Sequence, residues 1–184
     1  MHHFDPPPPP PPRHREITVW VACAIILIVP SLLVLFVRGT ALALSCAPGP
    51  QLCNGMALGG GLRDALDLAW FVANDTLVSI AIAFVAALAA LKARRPLMAA
   101  LTMLILPVAA LVLPWLAVFT SLYPGCAPNE EGVGECVLWG AKMGMSVHNA
   151  ARAESLVFSM VSYTFALALM IGVIGLLFFR PRER

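Results

Sequence analysis

Four of the five cysteines, Cys46, Cys53, Cys126 and Cys136, fall two by two in the long segments between apolar runs, and Cys23 lies inside the first run. Thiols spaced in this way support structural disulfides, Cys46 to Cys53 and Cys126 to Cys136, if those segments face an oxidising compartment. They also support thiol–disulfide exchange. A second chemistry belongs to Asp75 and Glu154, each placed just ahead of an apolar run, with His148, Arg152 and Arg63 as partners in charge. Two acids at the outer boundary of a membrane read either as an ion or substrate site or as caps on helix N-termini, where they satisfy free amides and complement the dipole. Met143, Met145 and His148 form a third cluster, of soft ligands that suit copper, although such a stretch is also an ordinary apolar helix face.

These residues need elements to hold them, and the composition names the medium. Sixty per cent of the 184 residues are hydrophobic and 12% are charged, with a mean hydropathy of +0.85, so an all-α integral membrane protein is expected. Four runs are long and apolar enough to cross a bilayer: about 17–37, 72–91, 97–119 and 155–179. A span needs about 20 residues at roughly 1.5 Å each. Pro30 is expected to bend the first run, and Pro107 and Pro114, about two turns apart, to share one face of the third.

Between the second and third runs, Lys92-Ala93-Arg94-Arg95-Pro96 reads as a tight cytoplasmic turn, because Lys and Arg flanking spans are retained inside. Orienting every run from it puts eight Lys/Arg inside (Arg13, Arg15, Lys92, Arg94, Arg95, Arg180, Arg182, Arg184) against three acids. Outside stand four bases against seven acids. The expectation is a four-helix bundle of two hairpins with both termini cytoplasmic and outer loops at about 38–71 and 120–154. The Ala-rich, compact style points to a bacterial inner membrane, with the long loops periplasmic.

The tails and loops carry their own signals. Residues 1–16 form a proline-rich cytoplasmic tail in which Pro6 to Pro12 are consecutive. Such a run is a polyproline II rod, either a spacer or a ligand for a cytoplasmic partner. Residues 180–184 form a basic tail. The first outer segment, with Leu58, Leu62, Leu66, Leu68, Trp70 and Phe71, is too apolar for a solvated loop, so an amphipathic stretch on the outer surface or beneath a partner is expected. The halves also echo one another. Cys46-Ala47-Pro48 recurs as Cys126-Ala127-Pro128, Asp75-Thr76-Leu77-Val78 as Glu154-Ser155-Leu156-Val157, and Arg95-Pro96 as Arg180-Pro181. This suggests a tandem duplication whose halves are related by a pseudo-twofold axis along the membrane normal.

Four helices, inner termini and a cysteine pair in each outer loop resemble, in overall plan, the bacterial membrane enzymes of the DsbB family, which pass electrons from disulfide-forming proteins to a quinone. The resemblance lies in topology. That family carries Cys-x-x-Cys in its first loop, whereas six residues separate Cys46 from Cys53 here. It would imply a thiol–disulfide or quinone-linked redox enzyme using the outer cysteines.

Several classes find no support in the residues. There is no Gly-Lys-Ser/Thr phosphate loop. Haem held by two histidines within the spans is excluded, because His148 is the one histidine outside the N-terminal tail. The bases form no extended stripe, so nucleic acid is not an expected partner. No cofactor is expected. The leading expectation is a non-catalytic accessory or assembly subunit that docks on other integral membrane subunits through small-residue helix faces and structured outer loops. The rivals are the redox enzyme and a small oligomeric transporter with Asp75 in its path.

Overall fold

The computed structural model describes residues 14–73, 76–126 and 136–178. It is mostly helical. In chain order the helices are α1 (His14–Ala43), α2 (Leu58–Ala73), α3 (Thr76–Lys92), α4 (Pro96–Phe119) and α5 (Met145–Phe178). A 3₁₀ turn at Pro124–Cys126 and a two-stranded hairpin, β1 (Val137–Leu138) with β2 (Ala141–Lys142), lie between α4 and α5. Apart from this hairpin of two residues per strand, the elements of the described chain are helical, in keeping with the all-α expectation.

Three helices, α1, α4 and α5, are long and apolar enough to cross a membrane, and there are four such spans if α2 and α3 are taken as one. Those two helices are bent by 73° relative to one another. The expected second span, 72–91, is therefore not a single helix. Alone, α3 has 17 residues, which at 1.5 Å each reach about 26 Å, short of the roughly 30 Å hydrocarbon layer. The bend is fastened by the buried Ser79, whose hydroxyl donates to the Val72 carbonyl at 2.6 Å.

Other boundaries move for local reasons. The first run was expected to end at Val37 because Arg38 follows; α1 runs on to Ala43 because the Arg38 guanidinium donates to the Thr120 carbonyl at 2.8 Å. It stops where Ser45 takes a left-handed conformation (φ 55°) and the Cys46 amide reaches back to the Ala41 carbonyl, a Schellman-type ending. The α3–α4 turn uses the same device. Arg94 has φ 58° and the Arg95 amide bonds Ala90, after which Pro96 opens α4 at a position where its missing N–H costs nothing. The turn is as tight as the sequence suggests. By contrast, α5 begins at Met145, ten residues before the expected 155, and much of the expected outer loop 38–71 is the helix α2.

At the centre stands α4, touching all the other helices. It runs parallel to α1, and a ladder of hydrogen bonds joins the two. Trp20 Nε1 donates to Thr102 Oγ1 at 2.9 Å, Ser31 Oγ to the Ala110 carbonyl at 3.1 Å, and Arg38 to Thr120. The middle rung has a clear cause. Pro114 supplies no amide to the carbonyl four residues earlier, that of Ala110, and Ser31 supplies the missing donor. Pro107 and Pro114 are both buried, as a shared face requires.

The buried side chains form two clusters. One, around Leu27, Ala83, Ala87, Ala99, Met103 and Ile171, lies toward the basic turn. The other gathers Val34, Leu62, Leu66, Trp70, Leu111, Trp139, Met143 and Met160 beneath the loops.

Candidate functional site

At the loop end of the bundle, residues 44–57 and the β-hairpin dock on one another to form a cap. Its hairpin turn is Trp139-Gly140, with φ of 45° and 81°, the two left-handed positions of a type I′ turn. Tryptophan is an unfavourable residue there, and its surroundings account for it. The Trp139 amide donates to the Gly49 carbonyl at 2.8 Å, its indole Nε1 to the Ala47 carbonyl at 3.0 Å, and its carbonyl accepts from the Gly59 amide at 3.2 Å. All three polar groups are answered by the first half of the chain, and the ring is 1% exposed. The Arg38 guanidinium carbon lies 5.5 Å from the ring centroid, within cation–π range. One residue thus ties the first loop, the start of α2 and the end of α1 to the hairpin.

The approach of α2 leaves no room for a side chain at Gly59, where a Cβ would fall 1.9 Å from the Leu138 carbonyl oxygen. Tyr123 Oη donates to the Val137 carbonyl at 2.7 Å, and the Met143 amide to the Cys136 carbonyl at 2.9 Å, closing the base of the hairpin. Below it, the first turn of α5 is held by α2. Ser146 Oγ donates to Asp67 Oδ1 at 2.5 Å, and Trp70 Nε1 donates to the Ser146 carbonyl at 3.0 Å. The Asp67 carboxylate therefore faces a helix N-terminus, where negative charge is stabilised.

Both expected disulfides are present, Cys46–Cys53 with Cα atoms 5.5 Å apart and Cys126–Cys136 at 4.7 Å. Each closes a short loop, and constraint of the unfolded chain gives each about 2–3 kcal/mol. Their settings differ: Cys53, Cys126 and Cys136 are buried, and Cys46 alone is partly exposed. Cys23 is free and half-buried within α1.

Among the described residues no hydrogen bond or ion pair joins the remaining candidates to one another. Asp75 lies outside the described residues, as do the Pro6–Pro12 tract and residues 180–184. Glu154 sits in the tenth position of α5, so its expected capping of a helix start is corrected: the helix begins nine residues earlier. Arg152 is exposed and His148 half-buried, with His148 Nδ1 covered and without a hydrogen-bond partner. Met143 is 1% exposed in the core while Met145 is 67% exposed, so the two sulfurs do not converge as copper ligands. Among the described residues no three His, Cys, Asp or Glu side chains cluster as a metal site.

Sequence reasoning missed Trp139, Arg38, Asp67 and Ser146 as the centre of the cap. The one local signal was Gly140 between short apolar pieces, since glycine punctuates such runs at turns. No family model matches the chain, and neither a curated protein nor a solved structure is significantly similar to it.

Proposed function

We propose that the chain is a non-catalytic accessory or assembly subunit of a larger membrane complex, and that its cap is the docking platform. One observation carries this. The cap answers all three polar groups of Trp139 internally, is stapled by two disulfides, and turns apolar side chains outward: Leu52 and Met56 beside the first disulfide, Leu68 and Phe71 on α2, with Phe71 82% exposed. A rigid frame presenting apolar side chains binds with little loss of conformational entropy and marks an interaction surface.

The reading takes α2 and α3 as one bent span, giving four spans in two hairpins, both termini cytoplasmic and the cap in the periplasm of a bacterial inner membrane. The charge asymmetry supports that orientation. It also includes the tandem duplication. The α1–α4 hydrogen bonds join residues 82, 79 and 82 positions apart, and Asp67 bonds Ser146 at a separation of 79. These offsets match the 80 positions between Cys46 and Cys126, as equivalent residues meeting near a twofold axis would. The halves differ where α5 is one uninterrupted helix and its counterpart is bent.

The test is the mass and composition of the particle that carries the protein when it is purified from its native membrane in mild detergent. A stoichiometric assembly with other integral membrane subunits, dissociated by Leu52→Glu with Phe71→Glu, is the expected result. A monomer or homo-oligomer overturns it. A second reading, thiol exchange with an outer-side partner, is favoured by the partial exposure of Cys46. A partner thiolate would attack the Cys46 sulfur, form a mixed disulfide and release Cys53 as thiolate; a second thiolate of the partner would then attack its own sulfur in the mixed disulfide, leaving the partner oxidised to a disulfide and Cys46 and Cys53 reduced to a dithiol. Trapping a Cys53→Ser variant in a mixed disulfide through Cys46 supports it; a thiol that reacts only with small alkylating reagents removes it.

A further inference from the structure

We propose that the turn between α3 and α4, with the groove beside it, is a binding site for an anionic phospholipid. The groove runs along the outside of the bundle between α4 and α5, has a volume of about 150 Å³, and is lined by Ala100, Leu101, Leu104, Phe165, Ala168 and Leu169 with no polar surface. Leu101, Phe165 and Leu169 are exposed and Ala168 forms the floor. Toward the turn, two glycines bring α5 close. A Cβ at Gly172 would lie 3.7 Å from Ala100, and one at Gly175 would lie 2.6 Å from Pro96 and 3.0 Å from Leu91. The apolar groove therefore starts next to the turn.

The turn supplies the other half of the site. Lys92, Arg94 and Arg95 are exposed, and none of them forms an ion pair among the described residues. The left-handed conformation of Arg94 concentrates the three charges in a single tight reversal. From Arg95 to the stretch 100–104 is five to nine residues along α4, about 8–14 Å at 1.5 Å each. A ligand that fits both parts carries an anionic group at the turn and a hydrocarbon chain running away from it at that distance. That is the build of a phospholipid with net negative charge in the leaflet which the turn faces. Basic clusters flanking spans attract such headgroups, whereas a zwitterionic lipid gains little from them. Free phosphate lacks the chain, and an acidic soluble segment would leave the groove unfilled.

The experiment uses the full-length protein reconstituted in phosphatidylcholine vesicles with a trace of lipid spin-labelled near the chain end, either phosphatidylglycerol or phosphatidylcholine. The expected result is a motionally restricted population that favours phosphatidylglycerol. Each base removed, in Arg94→Gln and Arg95→Gln, should weaken that preference about five-fold, as should raised salt in the same direction. Filling the floor with Ala168→Leu should remove the restricted population while the charges remain. Phe165→Trp gives an independent readout, since phosphatidylglycerol brominated on its chains should quench the added tryptophan at mole fractions where brominated phosphatidylcholine does not. Equal restriction of the two lipids overturns the proposal, and so does a preference that survives both arginine substitutions. Displacement by inorganic phosphate without loss of chain restriction would assign the turn to a free anion and also overturn it.

Discussion

Trp139 occupies a backbone conformation that glycine or asparagine would adopt at lower cost, and it is held there by two carbonyls of the first loop and by the Gly59 amide at the start of α2, all 80 or more residues away. Trp139→Phe should cost about 1 kcal/mol by leaving the Ala47 carbonyl without its donor. Trp139→Ala should cost about 3–5 kcal/mol through the cavity it opens. Resistance of the cap to limited proteolysis, with the long helices intact, measures both. Gly59→Ala should separate α2 from the hairpin even though alanine favours helices, because its Cβ would meet backbone; the same assay, read against Gly60→Ala, where nothing lies within reach, checks it. Alkylation without reductant should modify at most Cys23. Under graded reduction the Cys46–Cys53 pair should open before Cys126–Cys136, since an outside thiolate meets only Cys46, and mass spectrometry after each step reads the order. At this scale the cysteine pairing was legible, because short loops leave few alternatives. The tryptophan was not, because its partners are distant in sequence and are main-chain groups that no residue type announces.

Helix α1 and helix α4 show how one element answers a defect in another. Ser31 serves a carbonyl that Pro114 leaves without an amide. Ser31→Ala should destabilise the bundle by about 1 kcal/mol, and Pro114→Ala, which restores the amide, should make the same serine substitution nearly neutral. A double-mutant cycle on unfolding in detergent measures that coupling. The third span was legible to within a residue, since α4 is bounded by a turn signal and by the end of its apolar run. The others were not, because composition marks where a helix can lie in lipid and not where it ends. Arg38 looked like an end and is an interior residue with a partner. The polar start of α5 looked like loop and is helix, held by Asp67 and Trp70. Glu154 lost its expected role for the same reason, and Asp75 lies at residues 74–75 between α2 and α3, outside the described residues.

For the molecule as a whole, the predicted orientation places Lys92–Pro96 on one side of the membrane and the cap on the other. Single cysteines at Ala93 and at Gly60, introduced in a Cys23→Ser background, should react with membrane-impermeant maleimide from opposite faces of sealed vesicles; reaction from one face would refute the two-hairpin path. Fold class followed from composition alone, whereas the cap, which gives the molecule its distinctive shape at one end, depends on long-range pairing that only the folded chain reveals.

The brevity of α3 has a consequence for the surrounding bilayer. Its 17 residues stand beside helices of 24 to 34, so α3 alone falls several ångströms short of the hydrocarbon thickness, and in the four-span arrangement that flank is completed only by α2, turned 73° away. Lipid against that flank must compress or tilt, at a fraction of a kcal/mol per ångström of mismatch. Covering the flank with another helix relieves the distortion. The membrane itself thereby favours association on the α3 side, and the tendency should strengthen as lipids with longer chains are substituted.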